Sequence, residues 1–263
     1  MRPLREWSLE ARRRICGVFT DIDDTLTRDG EIEPAALDAL ASLQAAGVTV
    51  IAITGRPLGW SEPFARRWPV AAIVPENGAM AVLPDGSRRY LQPQAERARN
   101  AERLREVAAR ILREVPGATL ARDSAGRETD IAIDHSEFSH LSPEAIEQVV
   151  ALMRSEGMQA TVSSIHVNGW FGDHDKWRGA CWVARGLLGA DLAAEVDRWA
   201  YVGDSTNDQL MFRHFPHSIG VANIARFLPQ LEHRPHYVTE GERGAGFAEV
   251  ARALLEARSK RAS

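Results

Sequence analysis

Residues 18–26 read VFTDIDDTL, an apolar run that ends in acidic and hydroxyl side chains. The run begins at residue 15, and such a short, nearly continuous apolar segment is typical of a strand buried on both faces of a parallel sheet. Ligands of open parallel sheets bind beyond the carboxyl ends of the strands. The stretch therefore predicts a strand that presents Asp21 and Asp23 at a binding site.

Short apolar runs alternate with helical patterns along much of the chain. Further predicted strands cover residues 48–53, 71–74, 199–202, 218–222 and 236–239. This alternation is typical of a parallel sheet covered by helices. The predicted fold class is therefore α/β, with a Rossmann-like parallel sheet as its core.

The middle of the chain has a different pattern, polar and rich in Arg and Glu. Helices are predicted at residues 95–115 and 143–156, and strand-like segments at 118–122, 128–134, 159–163 and 165–171. Strands and helices in this order predict a small α+β domain inserted into the core. We expect the core to comprise residues 1–83 and 174–263, and the inserted domain residues 84–173.

Composition excludes several classes of partner. The 263 residues carry a net charge of −4, which favours neither nucleic acid nor an anionic membrane. No run approaches the roughly 18 apolar residues of a membrane span. Two cysteines provide neither a metal-site spacing nor a disulfide framework, so we expect reduced, buried thiols and a cytoplasmic location. The arginine-rich residues 2–14 are interpreted as a solvated extension, and residues 258–263 as a frayed tail.

Four chemically distinctive segments lie at or near the predicted strand ends. They contain Asp21 and Asp23, then Thr54 with Arg56, then Lys176 before a helix, and finally Asp204 with Asp208. Converging carboxylates repel one another unless a cation lies among them, and Mg²⁺ suits such oxygen ligands. We therefore predict a magnesium site at Asp21, Asp23, Asp204 and Asp208; Asp208 binds directly, acts through a water molecule, or holds Lys176.

The same groups suit phosphoryl transfer. Asp21 is predicted to attack phosphorus as a nucleophile that needs no activating base. Asp23 is predicted to protonate the leaving oxygen and then to activate water for hydrolysis of the aspartyl phosphate. Thr54 and Lys176 are predicted to stabilise charge on the phosphoryl oxygens.

Four motifs in this order resemble those of the haloacid dehalogenase (HAD) superfamily of phosphohydrolases. They are DIDDT at 21–25, TGRP at 54–57, DKWRG at 175–179 and GDSTND at 203–208. The position of the insert, between the second and third motifs, resembles subfamily IIB with its α+β cap, as in Cof-type, sucrose-phosphate, trehalose-phosphate and mannosyl-3-phosphoglycerate phosphatases. The resemblance implies a magnesium-dependent phosphatase that acts on a small phosphorylated metabolite, with sugar phosphates favoured.

Two residues depart from the family pattern. Asp24 replaces a frequent glycine and is expected to cap the following turn. Ser205 also lies where glycine is frequent, and it is expected to alter the loop near the metal slightly.

Substrate-binding candidates have alternative roles that the sequence leaves open. Arg56 either faces the inserted domain and the substrate or pairs with an acidic surface group, and Asn207 either binds substrate or forms a turn. His166, Asn168 and Trp170 alternate on one predicted strand and so share a face. That face either offers an aromatic surface to a sugar ring or packs within the inserted domain.

Two other functions compete with hydrolysis. One is phosphoryl transfer to another sugar hydroxyl, as in phosphomannomutases with similar caps. The other is a non-catalytic sensor of phosphorylated ligands, although binding alone has no use for a group such as Asp23.

Overall fold

The computed structural model describes residues 1–259. Its strands are β1 Arg2–Pro3, β2 Gly17–Thr20, β3 Thr27–Arg28, β4 Glu31–Ile32, β5 Thr49–Ile53, β6 Ala72–Val74, β7 Met80–Val82, β8 Arg88–Tyr90, β9 Thr119–Leu120, β10 Asp130–Asp134, β11 Gln159–Val162, β12 His166–Trp170, β13 Trp199–Gly203, β14 Ser218–Gly220 and β15 Tyr237–Val238. Its α-helices are α1 Leu9–Arg14, α2 Pro34–Ala45, α3 Leu58–Ala65, α4 Gln94–Glu114, α5 Pro143–Ser155, α6 Lys176–Leu188, α7 Gln209–His214 and α8 Arg243–Ser259.

A large sheet forms the core, in the order β1-β15-β14-β13-β2-β5-β6-β7-β8. The first seven strands in this order, β1, β15, β14, β13, β2, β5 and β6, pair in parallel. Strands β7 and β8 add an antiparallel edge. The predicted α/β class with a largely parallel sheet is confirmed. In this register Thr20 at the end of β2 lies beside Val202 of β13 and Ala52 of β5. The loops that follow these three strands therefore leave the sheet side by side.

Helices cover both faces of this sheet. Side chains of successive β2 residues alternate, so that Val18 packs with α2 and α8 on one face and Phe19 packs with α6 and α7 on the other. Helix α2 begins with Pro34 at its first turn, where the missing N–H costs no hydrogen bond. Because both faces are covered, the central strands β2, β5 and β13 are largely apolar, and the acidic and hydroxyl groups of the site follow their ends.

The inserted part has its own antiparallel sheet, in the order β11-β12-β10-β9. Helices α4 and α5 pack on one face of it and form a separate apolar core that extends from Leu104 to Phe171. The opposite face lies toward the large sheet. The limits 84 and 173 stay a prediction; strand β8 pairs with the large sheet.

The two ends of the chain differ from the expected extension and tail. Strand β1 pairs with β15, and Trp7 is fully buried, so the prediction of a solvated N-terminal extension is wrong. Apolar Leu4 and Trp7 between the arginines explain the error, because they anchor the segment on the core. Helix α8 includes residues 258 and 259, and the rest of the predicted tail, 260–263, lies outside the described residues. Within the described range, no helix has the length and apolar character needed to span a membrane.

Candidate active site

Three buried carboxylates meet at the carboxyl ends of β2 and β13. The backbone N–H of Asp21 donates to Val202 O at 2.8 Å, which extends the β2–β13 pairing and holds Asp21 beside the loop that carries Asp204. Carboxylate oxygens of Asp21, Asp204 and Asp208 all lie within 4.8 Å of one another. Burial raises the pKa of Asp21 to about 8, and Asp208 adds to the increase although Lys176 opposes it. The cluster needs positive charge to be fully ionised.

Lys176 supplies part of that charge. It is the first residue of α6, whose N-cap Asp175 accepts a hydrogen bond from the backbone N–H of Arg178. Its Nζ donates to Asp21 Oδ1 at 2.6 Å and to Asp208 Oδ1 at 2.7 Å. Burial by itself would lower the pKa of Lys176, but Asp208 and Asp21 outweigh burial and raise it. Lys176 is therefore a permanent cation next to the predicted nucleophile.

Asp208 is held by several donors. Its Oδ1 also accepts from the Tyr201 hydroxyl, and its Oδ2 accepts from the backbone N–H groups of Asp204 at 2.9 Å and Ser205 at 3.1 Å. Both oxygens are thus engaged, and the contacts favour a role in holding Lys176 and the loop. Tyr201 was missed because an apolar strand gives no signal that one hydroxyl points toward an acidic loop.

Asp204 has an oxygen without a partner. Its Oδ2 accepts from Asn223 Nδ2 at 3.1 Å and lies 3.6 Å from Arg226, whereas its buried Oδ1 has no hydrogen-bond partner. Burial raises the pKa of Asp204, and Asp208 and Asp21 raise it further. An unpaired carboxylate oxygen in a buried acidic cluster is what a hard, oxygen-seeking dication requires. The residues present therefore fit Mg²⁺.

Asp23 is separated from these three carboxylates. Its side chain pairs with Arg56, whose Nε donates to the two carboxylate oxygens at 2.9 and 3.1 Å. It lines the same small cavity as Asp21. The predicted acid/base role stays a prediction, and its predicted role as a metal ligand gains no support from these contacts.

Thr54 follows β5 directly, as the sequence predicts. Its Oγ1 accepts from the backbone N–H of Arg56 at 3.0 Å, and a hydroxyl that accepts one bond can still donate its own proton. Thr54 is fully buried. Its predicted contact with a phosphoryl oxygen remains untested.

Arg56 lies between the two sheets. Its guanidinium binds Asp23 on one side, and Asp123 at 3.4 Å and Glu137 at 2.9 Å on the other. Arg56 thus faces the inserted domain, and the acidic groups that it pairs with are largely buried rather than on the surface. Binding of substrate by Arg56 stays a prediction. No local pattern in the sequence indicates Asp123 and Glu137 as its partners.

The three candidates on β12 share one face but differ in surroundings. His166 Nε2 bonds Glu137 at 2.9 Å, and Asn168 Nδ2 donates to Asp130 at 3.0 Å; both residues line the cavity over Asp21. Trp170 donates to His174 O at 2.8 Å, stacks on the His174 ring and is 2 % exposed. Trp170 therefore packs within the structure, as in the alternative that the sequence left open.

Asn207 and Ser205 belong to the turn that follows β13. The Ser205 hydroxyl donates to Asn207 Oδ1 at 2.9 Å, and both residues line the cavity over Asp21. Asn207 thus has a turn contact, and binding of substrate by the same residue stays a prediction.

Asp24 has a larger role than capping a turn. Its backbone adopts a φ of 55°, in the left-handed region that favours the family's glycine. Its carboxylate binds Arg226 at 2.9 Å and Arg243 at 2.7 Å, and its carbonyl accepts from Asn223. These three partners are about 200 residues away in sequence, and only the departure from glycine pointed to this position.

Glu76 joins the large sheet to the inserted domain. It is fully buried, and its carboxylate accepts from the backbone N–H groups of Leu58, Glu128 and Thr129. Nearby, Arg127 donates to Gly55 O at 2.9 Å. No local pattern in the sequence predicts the contact of Glu76 with residues 128 and 129.

Two spaces adjoin Asp23. The cavity over Asp21 has a volume of about 10 Å³, room for about one water molecule. A second, open cleft of about 390 Å³ contacts Asp23, Arg56, Arg226, Arg243 and Phe138. The two spaces share Asp23 and Arg56 in their walls.

Comparison with known proteins finds one matching family model and several similar solved structures. A family model for haloacid dehalogenase-like hydrolases matches residues 18–107, and no curated protein matches the chain. A structure of Thermoplasma acidophilum protein 0175 matches with a TM-score of 0.72 at 18% identity, over 92% of this chain and 98% of that one. A sucrose-phosphatase from Synechocystis, solved with sucrose and phosphate, matches with a TM-score of 0.66 at 16% identity, over 92% and 98%. A putative HAD/COF-like hydrolase from Plasmodium vivax matches with a TM-score of 0.68 at 16% identity, over 95% and 99%. These likenesses show a shared fold.

Proposed function

We propose that this chain is a haloacid dehalogenase-like hydrolase, and specifically a magnesium-dependent phosphatase that hydrolyses a small phosphorylated metabolite, with sugar phosphates the favoured class. The phosphate would be transferred first to Asp21 and then to water. The cytoplasmic location expected from the two free cysteines is part of the same proposal.

The observation that carries the proposal is the arrangement of Asp21, Lys176 and Asp204. One carboxylate is bound by a buried lysine, and a neighbouring carboxylate has a buried oxygen without a partner. A non-catalytic sensor would not need a buried, unpaired carboxylate beside a nucleophile. The arrangement supports a site that binds a cation and a phosphate together.

The covalent step follows from the groups present. A carboxylate oxygen of Asp21 forms a bond to phosphorus while the bond from phosphorus to the ester oxygen breaks. Asp23 gives a proton to the departing oxygen and later takes one from the water that attacks the aspartyl phosphate. The products are the alcohol and inorganic phosphate, and Asp21 and Asp23 return to their initial states.

Asp21 and Asp204 are the side chains proposed to hold Mg²⁺, with Asp208 supporting them through Lys176 and the loop. When bound, the ion supplies Lewis-acid stabilisation of charge on the phosphoryl oxygens. Lys176 adds a second positive charge, and Thr54 supplies a hydroxyl.

The open cleft supports a carbohydrate leaving group. Its volume of about 390 Å³ falls in the range of about 300–1,000 Å³ that is usual for small-molecule sites. Guanidinium and carboxylate groups in its wall suit sugar hydroxyls. The side chain of Phe138 is 54% exposed at this cleft and offers the aromatic surface that Trp170 does not.

The direct test is a screen of phosphorylated sugars and related metabolites, scored by release of inorganic phosphate. We expect release with Mg²⁺, loss with EDTA, and recovery when Mg²⁺ is restored. Full activity in EDTA would contradict the metal assignment. Conversion of one sugar phosphate to another without free phosphate, dependent on an added sugar bisphosphate, would identify a mutase instead.

A further inference from the structure

We propose that Arg56 is a positioning residue through which the inserted domain orients Asp23 when that domain closes over the site. Glu137 and Asp123 would hold the guanidinium, and the guanidinium would hold the predicted acid/base carboxylate. The inference rests on the proposed function, because it concerns how the acid/base group of that reaction is positioned.

Arg56 is buried and shared between the two parts of the chain. Its side chain is 6% exposed; Nε and Nη2 reach Asp23, Nη2 also reaches Glu137, and Nη1 reaches Asp123. A guanidinium is a rigid planar fork, so fixing its terminal nitrogens also fixes the direction of Nε–H. The carboxylates of the inserted domain therefore determine where Asp23 is held.

The backbone of Arg56 is fixed independently of these contacts. Its N–H donates to Thr54 Oγ1, and its carbonyl accepts from the Glu76 N–H, each at 3.0 Å. The guanidinium lies over the Trp60 ring, 5.3 Å from its centroid. With the main chain held, the side chain conformation is what the inserted domain can change.

Glu137 is placed firmly on the inserted domain. Asp134, at the end of β10, accepts from the backbone N–H groups of residues 136, 137, 138 and 139 and so fixes the loop. The Glu137 carboxylate also bonds His166 Nε2. Burial opposes ionisation of Glu137, but His166 and Arg56 outweigh it and lower its pKa to about 2. Glu137 is therefore an anion in a defined position.

Access to Asp21 requires these contacts to separate. The cavity of about 10 Å³ over Asp21 has no room for a phosphate group, and its wall includes His166 and residues 163–165 of the inserted domain. Substrate must therefore bind while the inserted domain is displaced, and Arg56 then loses Glu137 and Asp123. When the inserted domain closes, the Arg56 guanidinium again contacts Glu137 and Asp123, and these contacts restore the orientation of Asp23.

The test compares two aryl esters that are nearly equal in size. Phenoxide is a much poorer leaving group than p-nitrophenoxide, so phenyl phosphate depends more on a correctly placed acid than p-nitrophenyl phosphate does. The ratio of kcat/KM for phenyl phosphate to kcat/KM for p-nitrophenyl phosphate reports only steps up to the first irreversible one, before water attacks.

We expect Glu137→Gln to lower this ratio about tenfold. Acid catalysis as a whole is typically worth about 10²–10⁴-fold, so a tenfold decrease is a partial loss of it. Asp123→Asn removes the longer, 3.4 Å contact and should lower the ratio by about threefold. The control is Glu128→Gln, the same chemical change in a residue that bridges Arg88 and Arg97 away from Arg56. Its ratio should equal that of the wild type.

Unchanged ratios in both Glu137→Gln and Asp123→Asn would overturn the inference, and Asp123→Asn decides alone if Glu137→Gln fails to fold. An equal rise of KM for both esters at unchanged kcat would also overturn it, because it would show that these carboxylates merely bind substrate. A wild-type protein that releases phosphate from neither ester contradicts the proposed function itself, which is a separate result.

Discussion

The proposed catalytic edge of the large sheet and the facing surface of the inserted domain differ in how their charges are satisfied. At the edge, Asp204 keeps a buried oxygen without a partner, and Asp21 shares a single lysine with Asp208. On the inserted domain, Glu137 binds both Arg56 and His166, and Asp134 accepts four backbone N–H groups. At the edge one buried carboxylate oxygen lacks a partner, whereas Glu137 and Asp134 on the inserted domain are both paired.

The difference separates chemistry from positioning. A buried polar group without a partner costs stability and persists where a ligand completes it. Fully paired groups stabilise one geometry and leave little for a ligand to gain. We therefore expect changes at the catalytic edge to affect turnover more than folding, and changes on the inserted domain to affect stability or alignment.

The largest expected effect is at Asp21. Asp21→Asn should lower phosphate release by about 10⁴-fold or more, because the amide cannot replace the nucleophile. The temperature of thermal unfolding should be unchanged or slightly higher, because one of several mutually repelling carboxylates is removed. Paired assays of phosphate release and calorimetry check both.

Asp208→Asn is the matched control for that variant. It makes the same change within the cluster, but at a carboxylate that accepts four hydrogen bonds. The NH₂ group of the amide cannot accept a hydrogen bond, so at least one donor would lose its acceptor. We expect a loss of about 1–3 kcal/mol in the free energy of unfolding. If the two variants had the same free energy of unfolding, the number of hydrogen bonds that each carboxylate accepts would not determine its contribution to stability.

A smaller expected effect concerns two aromatic residues of the inserted domain. Trp170→Ala should cost about 3–5 kcal/mol of unfolding free energy, because it empties a buried site. Phe138→Ala should change stability by about 0.5 kcal/mol or less and raise KM for the preferred substrate a few-fold. Chemical denaturation and steady-state kinetics measure the two. A stable Trp170→Ala protein with raised KM would show instead that Trp170 binds substrate.

An effect confined to acidic pH is expected at His174, which precedes Lys176 by two residues. Burial lowers the pKa of His174 to about 4, although Asp173 opposes it, and neither ring nitrogen has a hydrogen-bond partner within the described structure. The unfolded chain therefore binds more protons than the folded one between about pH 6.5 and pH 4. Stability that is complete above pH 6.5 is lost as the pH falls, by on the order of 3 kcal/mol.

His174→Phe should keep the stacking on Trp170 and remove this dependence. Unfolding measured at several pH values for the variant and the wild type isolates the contribution, since the other histidines cancel in the difference. Parallel pH profiles would show that His174 does not titrate in this range.

Much of the fold followed from local patterns, and the exceptions are instructive. The central parallel strands β2, β5 and β13 were predictable because each is a short apolar run that a polar residue ends or follows. The antiparallel edge β7–β8 was not, because exposed Arg88 and Arg89 conceal the pattern. The buried N-terminal segment was missed for a similar reason: five arginines outnumber the two apolar residues that anchor it.

The sequence by itself determined where Asp21, Thr54, Lys176 and Asp204 lie, since each follows a strand or begins a helix and the sheet register brings those points together. Tertiary structure alone decided the partners of Arg56, the two arginines on Asp24 and the burial of Trp170. Those contacts join segments that lie far apart in the chain, and a side chain's choice among several possible partners depends on packing that no local pattern encodes.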